Sequence, residues 1–310
     1  MCTSKLIPLC SPTQARLPTA LALGSFDGLH AGHRRVINAI NNNKDAIPTV
    51  VMFWPHPREI LYGESRLRID LPSEKIALLH PLKVKQLVLI PFTLSLSKLS
   101  AEEFVKEMLF KTLQAKKIAV GENFRFGRNR EGDAYLLNKL AKQSNVEVSI
   151  IPILKDQNGR MSSSRIRSLL NSGDLKTAED LMGRPYQFHG KVVKGKGIGI
   201  KIGWPTANIE VEGRKFLPKI GVYSAWAWRN QDNKRFPAVM NLGPQPTVDP
   251  QSPSSVEVHL LDQEIDLLGN ELTIEPVSRL RSQIRFNSLE DLSNQIKLDS
   301  KLAKQSLGIN

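Results

Sequence analysis

The sequence predicts a doubly wound parallel α/β domain followed by a small antiparallel β-barrel or sandwich with a C-terminal helix. Three observations lead there: apolar runs alternate with helix-period segments through the first half, the texture changes after Met161, and short β-branched runs separated by turn residues fill the second half. At 310 residues the chain exceeds an average single domain, so we expect two, 1–182 and 183–310.

Taken in order, Thr19–Leu23 is a short apolar run that passes directly into GSFDGLHAGHRRVINAI, the pattern of strand, turn and helix. Pro48–Trp54 supplies the next strand and completes a parallel βαβ unit. Gln86–Pro91 and Lys117–Gly121 are strand-like, with helical spacing over Ala101–Leu113 between them, and helix Tyr135–Gln143 precedes strand Glu147–Pro152. Ligands of such a sheet are expected beyond the carboxyl ends of its strands. In SSSRIRSLLNSGDLKTAEDLMGRPY two short helices are separated by Ser172 and Gly173 and closed by Gly183 and Pro185, where we place the domain boundary. Strands follow at Gln187–Val193, Gly221–Trp228, Phe236–Asn241, Ser255–Leu261 and Glu271–Val277. Ser288–Leu302 reads as a terminal helix, with Ser288 as N-cap and Asp291 three residues on.

A composition of 41% hydrophobic and 24% charged residues suits ordinary cores and excludes a disordered chain. Lys plus Arg number 43 against 30 Asp plus Glu, a formal charge of +13. That charge is spread along the chain without zinc-finger spacing, an aromatic RNA-binding run or a basic tail, so we expect no nucleic-acid partner. Phosphate-rich small substrates fit the same balance. Cys2 and Cys10 lie outside any CxxC pattern, which points to a reducing compartment, the cytoplasm, and to neither a disulfide framework nor a cysteine metal site. With no apolar run of roughly 18 residues and no sustained apolar core before Pro8, neither a membrane partner nor a secretory signal is expected. Nothing in the sequence sets an oligomeric state.

His30, Gly32 and His33 form HxGH at the start of a helix that follows a strand and a glycine-containing turn. A helix N-terminus offers free N–H groups and a positive dipole end to an anion, and two histidines there add donors for phosphate oxygens. Adenylyl transfer needs charge neutralisation at the α-phosphate and no protein nucleophile when the acceptor brings its own phosphate. A plain pair of surface histidines is the competing interpretation. The whole string GSFDGLHAGH, with Gly24, Phe26, Asp27 and Gly28, resembles the nucleotidyltransferase motif of bacterial FAD synthetases. FWPHPRE (Phe53–Glu59), VGENFRFGRNREGD (Val120–Asp133) and MSSSRIR (Met161–Arg167) match the same family. The resemblance implies a Rossmann-like domain in which Gly24, Phe26, His30, His33, Ser163, Ser164 and Arg167 contact ATP, with Asn123 and Phe126 beside the flavin. Without that companionship SSSRIR is an ordinary N-cap. The family often has Asp at the position of Asn123 and Thr at that of Ser164, and each exchange keeps a hydrogen-bonding group.

In the second half GKGIGIKIGWPTANI resembles the riboflavin kinase motif. Gly195, Gly197, Gly199 and Gly203 allow close backbone approach to phosphates. Thr206 and Asn208 are then expected to bind ATP and to hold Mg²⁺ through their side-chain oxygens; a bare PTAN would be a β-turn with an N-capping threonine. PAVMNLGPQPTV and SVEVHLLDQEIDLLG also resemble the kinase domain and assign Glu257 as the base that takes the proton of the ribityl hydroxyl from the end of a barrel strand, a contribution of about 10²–10⁴-fold. His259, two residues on, shares its strand face and has an ordinary structural reading. Arg281 and Phe286 are candidates for the isoalloxazine ring. The family commonly has an arginine where Ile200 and Lys201 stand and a tyrosine at Leu268, which puts nucleotide or flavin affinity in question.

Together the motifs identify the chain as similar to bifunctional riboflavin kinase/FAD synthetases over roughly Leu21 to Lys304. The resemblance implies FMN from riboflavin and ATP, then FAD and pyrophosphate from FMN and ATP, with Mg²⁺ at both steps. The competing readings are a single-activity HxGH nucleotidyltransferase with an unrelated β-domain, and a flavin- or nucleic-acid-binding protein without turnover.

Overall fold

Every residue of Thr19–Leu23 is buried, which a strand achieves only with layers packed on both of its faces. The computed structural model describes residues 7–41, 45–64, 67–195, 199, 202–229, 234–243, 254–263 and 265–309. They fall into two compact units, Met1–Ser163 and Ser164–Asn310.

In the first unit the elements are β1 (Leu9–Cys10), β2 (Thr19–Leu23), α1 (Ala31–Asn38), β3 (Ile47–Trp54), α2 (Pro57–Tyr62), α3 (Pro72–Leu79), β4 (Gln86–Pro91), α4 (Leu94–Ser97), α5 (Ala101–Glu103), β5 (Ala115–Gly121), the hairpin β6 (Arg125–Phe126) and β7 (Gly132–Asp133), α6 (Ala134–Lys142), β8 (Glu147–Ile151) and the hairpin β9 (Lys155–Asp156) and β10 (Gly159–Arg160). α5 runs on as a wider π-helix over Phe104–Thr112. The main sheet has the order β1-β4-β3-β2-β5-β8, with every pair parallel. Period-two alternation sorts the layers. Leu21, Leu23, Val51, Val88 and Val120 pack with Phe104, Leu109 and Leu137. Ala20, Ala22, Val50 and Leu87 pack with Val36, Ile37 and Leu79. From β2 the chain proceeds outward to β3 and β4, and from β5 it proceeds the other way to β8, so the topology reverses between β2 and β5. The loops after these two adjacent strands carry GSFDGLHAGH and GENFRF.

The expected helix over Ala101–Leu113 is therefore present, but most of its length is π rather than α; the Leu113 N–H reaches the Met108 carbonyl five residues back. An apolar stripe of helical period does not separate the two.

The second unit contains α8 (Leu175–Met182), six strands and a terminal helix, α9 (Leu289–Ser306); α7 (Ser163–Ser172) starts at the division. Asp174 accepts the Thr177 N–H to cap α8, and Gly183 ends it in the left-handed conformation. β11 (Phe188–Val193), β12 (Ala207–Val211), β13 (Gly221–Arg229), β14 (Phe236–Leu242), β15 (Ser254–Leu260) and β16 (Glu271–Arg281) close into a barrel of order β11-β12-β15-β14-β13-β16. The alternative of a sandwich is thereby excluded. β12 escapes the sequence reading because its apolar content is slight, with only Ile209 and Val211 fully buried. It occupies the stretch where PTAN suggested a turn and an N-cap, so Thr206 leads into a strand, not a helix.

Ser288 caps α9 by accepting the Asp291 N–H at 3.0 Å, and Arg281 at the end of β16 clasps Asp299 of α9 with contacts of 2.6, 2.9 and 3.1 Å. Asp299 is 2% exposed while Arg281 keeps about a fifth of its side chain in water, so Asp299→Ala removes the charged acceptor and leaves a guanidinium that water reaches in part. We expect it to destabilise the protein by about 1.5–3 kcal/mol in urea unfolding followed by circular dichroism.

Candidate functional site

Turn geometry positions the first group of candidates. Gly24 leaves β2 with its N–H on the Val51 carbonyl at 3.3 Å. Phe26 (φ 43°), Gly28 (φ 80°) and Leu29 (φ 41°) then adopt left-handed backbone, unfavourable for the two residues that carry a Cβ. Phe26 and Leu29 are buried in the core beside α1. The Gly28 N–H donates to Asp70 Oδ2 at 2.9 Å, and the Asp70 N–H donates to Asp27 Oδ1 at 3.2 Å. Ser163, at the start of α7, donates its hydroxyl to the Asp27 carbonyl at 2.7 Å.

His30 is the N-cap of α1: its Nδ1 accepts the His33 N–H at 3.4 Å. An accepting Nδ1 carries no proton, so the neutral ring holds its proton on Nε2. The His30 and His33 rings stack at 3.7 Å, 23° apart, and Phe26 stands edge-on to His33 at 5.4 Å. Burial, then the charges of Arg160 and Arg34, push the His30 pKa down to about 4. His33 is held well below its ordinary value by burial, by His30 and by Lys75. Its Nδ1 is buried, with no hydrogen-bond partner among the described residues. Such an orphan beside a helix N-terminus fits a site that a ligand completes.

Among the remaining N-terminal candidates, Asn123 is exposed in the loop after β5. Phe126 is 5% exposed and belongs to the core; Phe124, which the sequence reading passed over, is half-buried and stacks on it at 5.5 Å, 21° apart. Loop aromatics next to a core phenylalanine carry no sequence signal that says which one is open. Ser164 is exposed on the first turn of α7. Arg167 lies half-buried with its guanidinium over the Phe216 ring at 5.9 Å.

On the barrel, strand register brings the kinase candidates together. Asn208 of β12 pairs with Glu257 of β15, and Glu257 pairs with Asn241 of β14. The flanking Val256 and Val258 are buried while Glu257 is exposed, so this polar row lies on the outer face. Glu257 stands in the middle of β15 (Ser254–Leu260), not at the strand end expected from the sequence, because pairing extends on both sides of it. Asn241 Nδ2 donates to Glu257 Oε2 at 3.3 Å, and Gln283 Nε2 donates to Asn241 Oδ1 at 2.8 Å, which orients that amide. Neither Asn241 nor Gln283 stood out in the sequence; only cross-strand register reveals them. His259 bonds through Nδ1 to the Pro205 carbonyl at 2.8 Å and meets Trp204 edge-on, a structural role. Arg281 is committed to Asp299 with Phe286 6.0 Å from its guanidinium. Leu268 is 60% exposed. Gly197, Ile200 and Lys201 lie outside the described residues.

A Cβ at Gly195 would stand 2.0 Å from Asn208 Nδ2, and one at Gly199 would stand 2.2 Å from the Trp204 carbonyl and 3.2 Å from Thr206 Oγ1. Only bare backbone fits against Thr206 and Asn208. Two neutral side-chain oxygens in such a cradle suit a hard cation whose other ligands are phosphate oxygens. No three His, Cys, Asp or Glu side chains form a metal cluster among the described residues.

Residues 13–165 match the family model of FAD synthetase, and residues 182–307 match that of riboflavin kinase. A bifunctional riboflavin kinase/FMN adenylyltransferase of Escherichia coli (strain K12) is 34% identical over 293 residues, covering 93% of each chain. The protein of the same description from Haemophilus influenzae is 32% identical over 289 residues, 92% of this chain and 93% of that one. A crystal structure from Streptococcus pneumoniae, described as a macrolide-efflux protein, superposes with a TM-score of 0.83 at 28% identity, covering 96% of this chain and 99% of that one. Among the described residues no helix of this chain is long and apolar enough to cross a membrane.

The histidine pair predicts a pH dependence. Between the depressed value near 4 and the ordinary 6.5 the unfolded chain binds a proton that folded His30 refuses, so stability falls as pH drops through that window. By calorimetry between pH 7 and 4.5, the parent is expected to lose more thermal stability than His30→Gln, which has no such proton to bind.

Proposed function

The chain belongs to the family of bifunctional riboflavin kinase/FMN adenylyltransferases, and from that premise we propose how its residues divide the work of making FAD. It is an ATP-dependent transferase with two activities: riboflavin plus ATP gives FMN plus ADP, and FMN plus ATP gives FAD plus pyrophosphate. We assign the second to residues 1–182 and the first to 183–310. Riboflavin, FMN and ATP are its small-molecule partners. The reading of a single-activity nucleotidyltransferase falls to the riboflavin kinase match over the second half. The observation that carries the residue assignments is that each unit has a polar constellation of its own, the His30–His33 stack after β2 and the Asn208–Glu257–Asn241 row on the barrel.

In the barrel, Glu257 accepts the proton of the ribityl 5′-hydroxyl as that oxygen attacks the γ-phosphorus and ADP departs. Asn241, steadied by Gln283, holds the carboxylate in place. Thr206 and Asn208 would hold Mg²⁺ against the ATP phosphates, with Gly195 leaving room for them. Bound there, the cation neutralises phosphate charge.

In the first domain, an ionised phosphate oxygen of FMN attacks the α-phosphorus of ATP and pyrophosphate leaves, which needs no protein base. The Nε2–H of His30, the ring N–H of His33 and the free N–H groups of α1 donate to the phosphate oxygens. Ser163, whose hydroxyl ties it to the Asp27 carbonyl, lies at the edge of that donor set. The aromatic face of Phe124 on its Phe126 support, with Asn123 beside it, receives the flavin. That loop follows β5, next to β2 at the point where the sheet reverses, so FMN would lie alongside the nucleotide.

Two measurements check this assignment. Glu257→Gln is expected to lower FMN formation by about 10²–10⁴-fold while FAD formation from supplied FMN persists; the combined His30→Ala and His33→Ala change is expected to do the converse, and loss of both activities by either folded variant would refute the two-site division. Chelation of divalent cations is expected to stop both reactions, restored by added Mg²⁺, in a time course that follows FMN and FAD separately.

A further inference from the structure

Lys75 takes no part in the chemistry above, yet its side chain is fully buried on α3. A methionine has nearly the same length and would meet no desolvation cost there, so the ammonium has to be explained by what it holds. Its Nζ donates to the Asp70 carbonyl at 2.7 Å and lies 3.7 Å from Asp27 Oδ1. That carboxylate also receives the Asp70 N–H, while the Asp70 carboxylate receives the Gly28 N–H. The bonds close around Phe26–Leu29, three of whose residues are left-handed, and the next residue is His30.

We propose that Lys75 is a positioning residue for adenylyl transfer: through Asp27 and Asp70 its ammonium locks the left-handed turn that delivers His30 and His33 to the start of α1. The inference rests on the reading that these histidines serve FAD formation. The electrostatics agree. His33 is faced by His30 on its own segment, by Phe26 in the turn, by Asp70 and Lys75 from the α3 side and by Arg160 from β10; Lys75 resists its protonation and Asp70 favours it. Removing the ammonium takes away the charge that resists His33 protonation and leaves the Asp70 carboxylate, which favours it.

The test compares the purified full-length parent with Lys75→Met, Asp27→Asn and His33→Ala. FAD formation from supplied FMN and ATP is measured with riboflavin phosphorylation in the same preparations, and the His33 ring is titrated by NMR. Lys75→Met and Asp27→Asn are expected to lower kcat for FAD formation by about 10–100-fold, with KM for ATP little changed, as misplacement of reacting groups does. Riboflavin phosphorylation should stay at the parental rate. In Lys75→Met the His33 ring should titrate at higher pH than in the parent, a change that lost packing alone would not produce. FAD formation within about twofold of the parent in both Lys75→Met and Asp27→Asn, or an unmoved His33 titration in folded Lys75→Met, overturns the proposal. Should Lys75→Met fail to fold, Asp27→Asn decides by itself, because its amide oxygen still accepts the Asp70 N–H while the charge facing Lys75 is removed; a parental rate then overturns the proposal. His33→Ala separates the two levels. If it retains FAD formation the histidine reading fails and this inference with it, whereas an inactive His33→Ala beside a parent-like Lys75→Met removes the Lys75 inference alone.

Discussion

An ammonium shut away from water has to be matched where it lies, and in the first unit that requirement falls on Lys75 and Asp27. The carboxylate that answers the charge also accepts the Asp70 N–H, so the chain around α3 and the turn after β2 are held in one register. That register allows Phe26 and Leu29 to persist with positive φ, and both are buried in the core as a result. The cap of α1 by His30 and the stacking of His33 then follow from where the turn ends. Strain in the turn, burial of the lysine and placement of the histidines are thus parts of one arrangement.

The barrel solves a different problem. Once its six strands close, alternation leaves no choice of side: with Val256 and Val258 directed inward, Glu257 faces outward, and cross-strand pairing sets Asn208 and Asn241 on either side of it. The polar row is exposed, which on the proposed assignment suits a group that takes a proton in each cycle and must return it to solvent. The histidine site, in contrast, is partly withdrawn from water, where a donor aimed at a phosphate oxygen is worth more than it would be in bulk solvent.

The sheet, the barrel and most of their boundaries were legible because burial writes itself into the strands in two ways: β2 as a continuous run of buried residues, and β15 as Val256 and Val258 alternating with Glu257 and His259. β12 was not, since its polar residues face outward and only Ile209 and Val211 mark the interior. HxGH and PTAN were visible as strings. Lys75, Asn241 and Gln283 were not, because what distinguishes each is a partner far along the chain, as with Gln283 and Asn241 at a separation of 42. A lysine within the IALL-containing helix looks like any solvated lysine until the tertiary structure closes over it.

The neutrality of the histidines has a further consequence. Two imidazolium rings stacked at 3.7 Å would repel strongly, and protonation of His30 at Nδ1 would break the cap of α1. On the proposed assignment the rings act as N–H donors, and the countercharge for a triphosphate comes from other groups. Arg160 and Arg34 are placed to supply it, because the fields that depress His30 are the fields an incoming anion would meet. On the proposed assignment the site separates two roles, direction and charge. The histidines direct hydrogen bonds at fixed oxygens, while the arginines and the helix N-terminus supply the potential. Keeping the donors uncharged has an advantage for turnover, since a site that added two imidazolium charges to those arginines would hold departing pyrophosphate more tightly than the transition state requires.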